Sequence, residues 1–141
     1  MLTILGRKNS SNVQKLLWLC GEAGIPFNRE DYGGPFGKTK EPAYLAKNPN
    51  ALVPTIDDDG FVLWESHAIL EYLVAKHPES GLGPKTPAER GDISRWMFLN
   101  SAHFGPSNAA IFAHRSVCPR TSASRSWQRT ARSRGTASSA S

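Results

Sequence analysis

The sequence predicts a mixed α/β fold, on three observations. A short apolar run, an amphipathic helix and a second extended run follow one another over residues 2–31, the pattern of a parallel βαβ unit. Two further extended runs flank Asp57-Asp58-Asp59-Gly60, the pattern of an antiparallel hairpin. A helical period then begins at Ser66. The order β-α-β and then β-β-α describes a mixed four-stranded sheet with helices packed on it.

Leu2–Leu5 reads as a buried strand ended by Gly6 and the polar cluster Arg7-Lys8-Asn9-Ser10-Ser11. Val13, Leu16, Leu17 and Cys20 recur at helical spacing, so one face of the next helix is apolar. Ser10, Ser11 and Asn12 are all able to cap its start. Gly21, Gly24 and Pro26 close it, and Phe27–Asp31 forms the second strand. Tyr32–Pro42 is a glycine-rich loop, and Pro42 suits the first turn of a short helix over residues 43–47. After the turn signal Asn48-Pro49-Asn50, Leu52–Ile56 is a strand with Pro54 inside it, and Phe61–Trp64 returns. Ser66 caps a helix with Ala68, Ile69, Tyr72 and Leu73 inward and His77-Pro78 at its end. Residues 79–87 link to a further helix from Ala88, with Ile93, Trp96 and Met97 on one face and an interruption at Gly105-Pro106.

The organisation is therefore residues 1–78 as an α/β domain, 79–114 as linker and the start of an all-α domain, and 115–141 as a tail. Charge divides the same way. The net charge of +5 is carried by the tail, which holds six arginines and no acid, whereas residues 1–114 hold 11 Lys/Arg and all 12 acids. Residues 116–141 contain eight serines and no Leu, Ile, Phe or Met, too little apolar surface to offset the ordering of a backbone, so disorder is expected there. A basic tail that binds nucleic acid is the rival reading, with only Trp127 able to stack on a base. No apolar run reaches the ~20 residues of a membrane span. Cys20 and Cys118 form no metal or disulfide motif, so a reduced, cytoplasmic setting and no metal are expected.

Three features carry chemistry. Pro54 in a strand removes a ladder donor; in the cis form it would turn the chain and leave the Val53 backbone free to pair with an extended ligand. Glu65-Ser66 stands where a strand meets a helix. The helix start and the Ser66 hydroxyl suit a carboxylate and Glu65 an ammonium, together the two charges of an α-amino acid. Asn9-Ser10-Ser11-Asn12 offers hydroxyl and amide donors at another helix start, where a bound thiolate would be stabilised. Each has a plainer reading: an edge-strand proline, a solvated acid beside a cap, and ordinary capping. Cys20 reads as core, His67 as helix surface, and Asp57-Asp58-Asp59 as a solvated turn.

The blocks Asn48-Pro49-Asn50-Ala51-Leu52-Val53-Pro54 and Glu65-Ser66-His67-Ala68-Ile69-Leu70-Glu71-Tyr72-Leu73 together resemble the N-terminal domain of cytosolic glutathione S-transferases. The opening Gly6-Arg7-Lys8-Asn9-Ser10-Ser11-Asn12-Val13 is similar to bacterial members, and the likeness runs to about residue 112. The resemblance implies a thioredoxin-like fold with a cis proline at Pro54 and glutathione as co-substrate. Val53 would pair with its cysteinyl backbone, and Glu65 and Ser66 would hold its γ-glutamyl end. Asn50 and Lys40 are weaker candidates for the glycyl end. The thiol would meet Ser10, with Asn9 and Ser11 behind it in preference, since this segment has no Tyr or Cys. The activity implied is attack of the thiol on an electrophilic small molecule, in a family that ordinarily forms homodimers. A non-catalytic glutathione-binding module of the same fold is the alternative. The family's second domain is an all-helical bundle, which here loses its character near Arg115. The Arg/Ser/Ala/Thr composition beyond suggests a frameshift product, with most of that bundle missing.

Overall fold

The computed structural model describes residues 1–108. The expected tail, and residues 109–114 before it, lie outside the described residues. Compact units divide at residue 90, so residues 79–90 group with the α/β domain.

In the first unit, β1 (Leu2–Leu5), α1 (Ser11–Ala23), β2 (Phe27–Glu30), α2 (Pro42–Leu45), β3 (Thr55–Asp58), β4 (Phe61–Trp64) and α3 (Ser66–Lys76) follow in order. The sheet runs β2-β1-β3-β4; β1 is parallel to β2 and antiparallel to β3, and β3 is antiparallel to β4. This is the mixed four-stranded sheet that the βαβ-ββα pattern predicts.

Register assigns the two faces. Ile4 pairs with Ile56 and Ile56 with Leu63, so these three share a face. They meet Val13, Leu16 and Cys20 of α1 and Ile69 and Leu73 of α3 in one hydrophobic cluster. Leu5 pairs with Thr55 and points the opposite way. There Thr55 bonds Tyr44 of α2, which is itself buried.

Local chemistry sets the ends. Gly24 stops α1 in the left-handed conformation, φ 66°, and its N–H reaches the Cys20 and Gly21 carbonyls. Gly21 lies within the helix rather than closing it. The Cys20 thiol is buried, which pushes its pKa up to about 11. Asp59 and Gly60, at φ 52° and 93°, make a two-residue hairpin turn of the type that matches strand twist.

Several expectations need correction. Strand β3 starts at Thr55, not Leu52, so Pro54 precedes the ladder instead of interrupting it. A proline cannot donate to the ladder, and the chain places it where no donor is required. The hairpin turn is only Asp59-Gly60; Asp57 and Asp58 belong to β3. Asp57 pairs with Lys47, and Asp58 is buried, so this is not a solvated aspartate turn. Strand β2 ends at Glu30, while Asp31 pairs with Arg29. Ser66 is the first residue of α3 and not its cap; Glu65 holds the cap position. Ala68 is exposed; Ser66, Ile69 and Leu73 are buried, and Tyr72 packs half-buried against the same core. The helix at 42 is a single turn.

A third long helix, α4 (Pro87–Leu99), carries the chain into the second unit. Its Trp96 and Phe98 are exposed, whereas Ile93 and Met97 are half-buried. Asn100–Phe104 then widens into a π-helical turn, where the Gly105 N–H donates to the Asn100 carbonyl. Pro106 follows at once, so the expected interruption takes the form of a widened turn ahead of a residue lacking its N–H.

Asp58 yields a stability prediction. Its carboxylate accepts hydrogen bonds from the Tyr72 hydroxyl at 2.8 Å and from Lys76. The Lys76 bond chiefly, with Tyr72, holds its pKa below the usual carboxylate range despite burial. A depressed folded-state pKa contributes stability above the unfolded value of about 3.9 and loses it as pH falls through the folded one. Asp58→Asn is therefore expected to cost about 1–2 kcal/mol at pH 7 and to flatten the stability loss between pH 5 and 3, measured by urea unfolding.

Candidate functional site

Strand register brings distant segments to one end of the sheet. Leu5 pairs with Glu30 on one side and Thr55 on the other, and Thr55 pairs with Trp64. The residues just outside these four are Gly6, Asp31, Pro54 and Glu65. The β1–α1 loop, the loop after β2, the Val53-Pro54 segment and the start of α3 therefore emerge side by side. This is the end at which the parallel strands β1 and β2 present their carboxyl termini, where open α/β sheets bind ligands.

The Val53–Pro54 peptide is cis. Pro54 is buried and Val53 half-buried. Close packing joins Val53 to its neighbours. A Cβ built on Gly6 would lie 3.4 Å from the Val53 Cβ and only 2.5 Å from a methyl of Val13 in α1, so only glycine fits there. A Cβ on Gly33 would lie 3.2 Å from a Val53 methyl. Arg29 reaches from β2 to donate to the Gly6 carbonyl at 2.9 Å, and Arg7 donates its N–H to the Tyr32 carbonyl. The β1–α1 loop is thus tied to the loop after β2.

The loop before Val53 hangs on a buried polar cluster absent from the sequence-derived candidates. Asn48, 2% exposed, donates to the Leu52 carbonyl and to Thr55 Oγ1, each at 3.0 Å. Its own Oδ1 accepts the Asn50 N–H at 3.0 Å. The Tyr44 hydroxyl donates to the Leu52 carbonyl at 2.6 Å and lies 2.9 Å from Thr55 Oγ1. Burial raises the Tyr44 pKa, with the bonds to Thr55 and Asn48 opposing, so it remains a donor at neutral pH. Asn48-Pro49-Asn50 reads as a turn, and an asparagine heading a turn is its only signal in the sequence.

The thiol candidates occupy the start of α1. Ser10 is buried at the N-cap, with no side-chain cap bond, while Asn9 and Ser11 are exposed. The Ser10 carbonyl accepts the Gln14 N–H, starting the helix ladder.

At the start of α3, Ser66 is buried and Glu65 exposed. Glu65 has φ 72° and ψ 112°, a left-handed conformation that costs a non-glycine residue about 1–3 kcal/mol. Such a cost persists where surrounding structure dictates it, and nothing in the residue sequence signals it. Two more residues join here. Lys15 Nζ stands 3.2 Å from His67 Nε2 and donates to Asn12 Oδ1 at 3.1 Å. His67 is therefore half-buried against α1, not plain helix surface. Burial, then the Lys15 charge, lowers its pKa; burial also lowers that of Lys15, with the Glu65 charge opposing.

Asn50 is exposed on the loop that Asn48 organises. Lys40 is exposed ahead of α2, and strand register does not fix its place. The arrangement supplies two helix starts, an unladdered backbone segment and the exposed Glu65 carboxylate at one end of the sheet. It suits an extended ligand with a zwitterionic head.

Asn48→Ala is expected to strip the Leu52 carbonyl, Thr55 Oγ1 and the Asn50 N–H of partners and to cost about 1–3 kcal/mol. Denaturant unfolding measures it, and a loss under ~0.5 kcal/mol would contradict the placement of Asn48 at the centre of the cluster.

Known proteins share this arrangement. Residues 9–76 match the family of glutathione S-transferase N-terminal domains. The chain is 39% identical over 112 residues to glutathione S-transferase GstB of Escherichia coli, covering 74% of this chain and 54% of that protein. The theta-class glutathione S-transferase of Xanthomonas axonopodis pv. citri, solved with glutathione bound, is 44% identical with a TM-score of 0.79, over 84% of this chain and 56% of that one. Ure2p solved in complex with glutathione is 26% identical with a TM-score of 0.75, over 87% and 58%. The chain thus spans about half the length of these relatives. Family match, identity and fold agree with the geometry of the sheet edge: the chain belongs to the glutathione S-transferase superfamily.

Proposed function

We propose that this chain binds glutathione at the edge described above and activates its thiol for attack on an electrophilic small molecule. The single observation that carries this reading is the register that aligns Leu5, Thr55 and Trp64, and with them the starts of α1 and α3 on either side of Val53-Pro54.

In this reading the Val53 backbone, outside the β1–β3 ladder, pairs with the cysteinyl backbone of glutathione. Glu65 accepts the ammonium of the γ-glutamyl head, and the Ser66 hydroxyl with the α3 amides holds its carboxylate. Asn50 and Lys40 serve the glycyl end. The thiol meets Ser10 at the start of α1, with Asn9 and Ser11 as second choices. Donors and the helix dipole there stabilise the thiolate and lower the thiol pKa from about 8.5. The thiol releases its proton to solvent. A sulfur lone pair then forms the carbon–sulfur bond as the leaving group departs with its bonding pair. No metal enters the step. A cytoplasmic location and a homodimer accompany the reading.

The sequence resemblance and the glutathione-bound relatives support this assignment. Titration calorimetry of the full chain with glutathione tests it. Glu65→Ala is expected to weaken binding by roughly tenfold or more through loss of a charged hydrogen bond. Unchanged affinity removes Glu65 from the site. Conjugation of a model aryl halide tests turnover. Catalysis needs sulfur and electrophile held together, so turnover is expected to fall in Ser10→Ala. Glutathione binding with no turnover under any condition favours the non-catalytic module.

A further inference from the structure

Lys15 and His67 lie between the two helix starts that the proposed site depends on, and the sequence motifs assign them nothing. Lys15 sits in the second turn of α1, and its ammonium is held by Asn12 Oδ1 from the first turn at 3.1 Å and by His67 Nε2 from the first turn of α3 at 3.2 Å. An ammonium has donors only, so Nε2 must accept, and the imidazole is neutral with its proton on Nδ1. The Glu65 carboxylate, immediately before α3, acts electrostatically on the same ammonium.

We infer that Lys15 is a positioning residue for glutathione, a cross-helix clasp that fixes the start of α3 against the start of α1. The inference rests on the reading of this edge as a glutathione site. Two consequences follow from the contacts. The clasp sets the spacing between the γ-glutamyl end at Glu65-Ser66 and the thiol end at Ser10. It also places a fixed positive charge on the side of Glu65 toward α1, so the ligand carboxylate is drawn to that side and its ammonium to the other.

The imidazole makes the clasp sensitive to pH. Once Nε2 carries a proton it can no longer accept from Lys15, and two cations face each other at 3.2 Å. The charged groups acting on His67 are Lys15 from α1 and Glu65 and Glu71 from its own side; the carboxylates favour protonation, and burial and Lys15 oppose it. Opposition wins, so the clasp opens only below the ordinary histidine range near 6.5.

The experiment is calorimetric titration of the full chain with glutathione at pH 7.0 and 5.0, with folding checked by circular dichroism. Wild type is expected to bind about threefold or more weakly at pH 5.0 as the imidazole charges. Lys15→Met is expected to bind about tenfold more weakly at pH 7.0. His67→Gln keeps an acceptor oxygen, so it should weaken binding less than Lys15→Met at pH 7.0 and lose the pH dependence. Wild-type affinity in Lys15→Met, or a persisting pH dependence in folded His67→Gln, overturns the inference and leaves the glutathione site standing. Failure of wild type to bind glutathione at either pH overturns both. The imidazole shift of His67 by NMR gives a readout free of ligand: Lys15→Met must raise its pKa, and an unmoved value sinks the clasp.

Discussion

The alignment of Leu5, Thr55 and Trp64 across three strands is the constraint on which the rest depends. A shift of one residue would turn Ile56 away from α1 and α3 and Thr55 toward them. It would also displace Val53-Pro54 relative to both helix starts. Packing and site are therefore specified by one decision: the apolar face fixes the register, and the register fixes which loops meet.

Buried polar groups hold the two ends of that sheet differently. At the hairpin end, Asp58 is satisfied by Tyr72 and Lys76, which ties β3 to α3 with charge. At the other end, Asn48, Tyr44 and Thr55 use neutral hydrogen bonds, which converge on the Leu52 carbonyl and on Thr55, while Asn48 also accepts from the Asn50 N–H. These neutral bonds add no charge beside Val53-Pro54.

Much of this was legible in the sequence because apolar periodicity and register are the same fact seen twice. Ile4, Val13, Leu16, Ile69 and Leu73 announce the core by spacing alone. The motif pairing of Val53-Pro54 with Glu65-Ser66 likewise identified the edge. Strand ends were less legible: Leu52 has the composition of a strand residue but lies outside the ladder, because Asn48 and Tyr44 claim its carbonyl. Asp58 looked solvated because an aspartate inside a three-acid run gives no hint of partners 14 and 18 residues away. Glu65 was legible as a carboxylate but not as a left-handed residue, since its φ is imposed by the strand-to-helix junction and not by its own preference. The Lys15–His67 contact spans 52 residues of chain and has no local signature at all.

Cys20 has a consequence for redox chemistry. If the chain gathers glutathione as proposed, its own sulfur meets glutathione disulfide, and a reactive cysteine would be capped by mixed-disulfide exchange. Exchange requires a thiolate with access to solvent. With its pKa pushed up to about 11 and its side chain sealed under α1, Cys20 offers neither. It can sit in the core on the same helix whose start borders the proposed glutathione edge and remain, chemically, a hydrophobic residue.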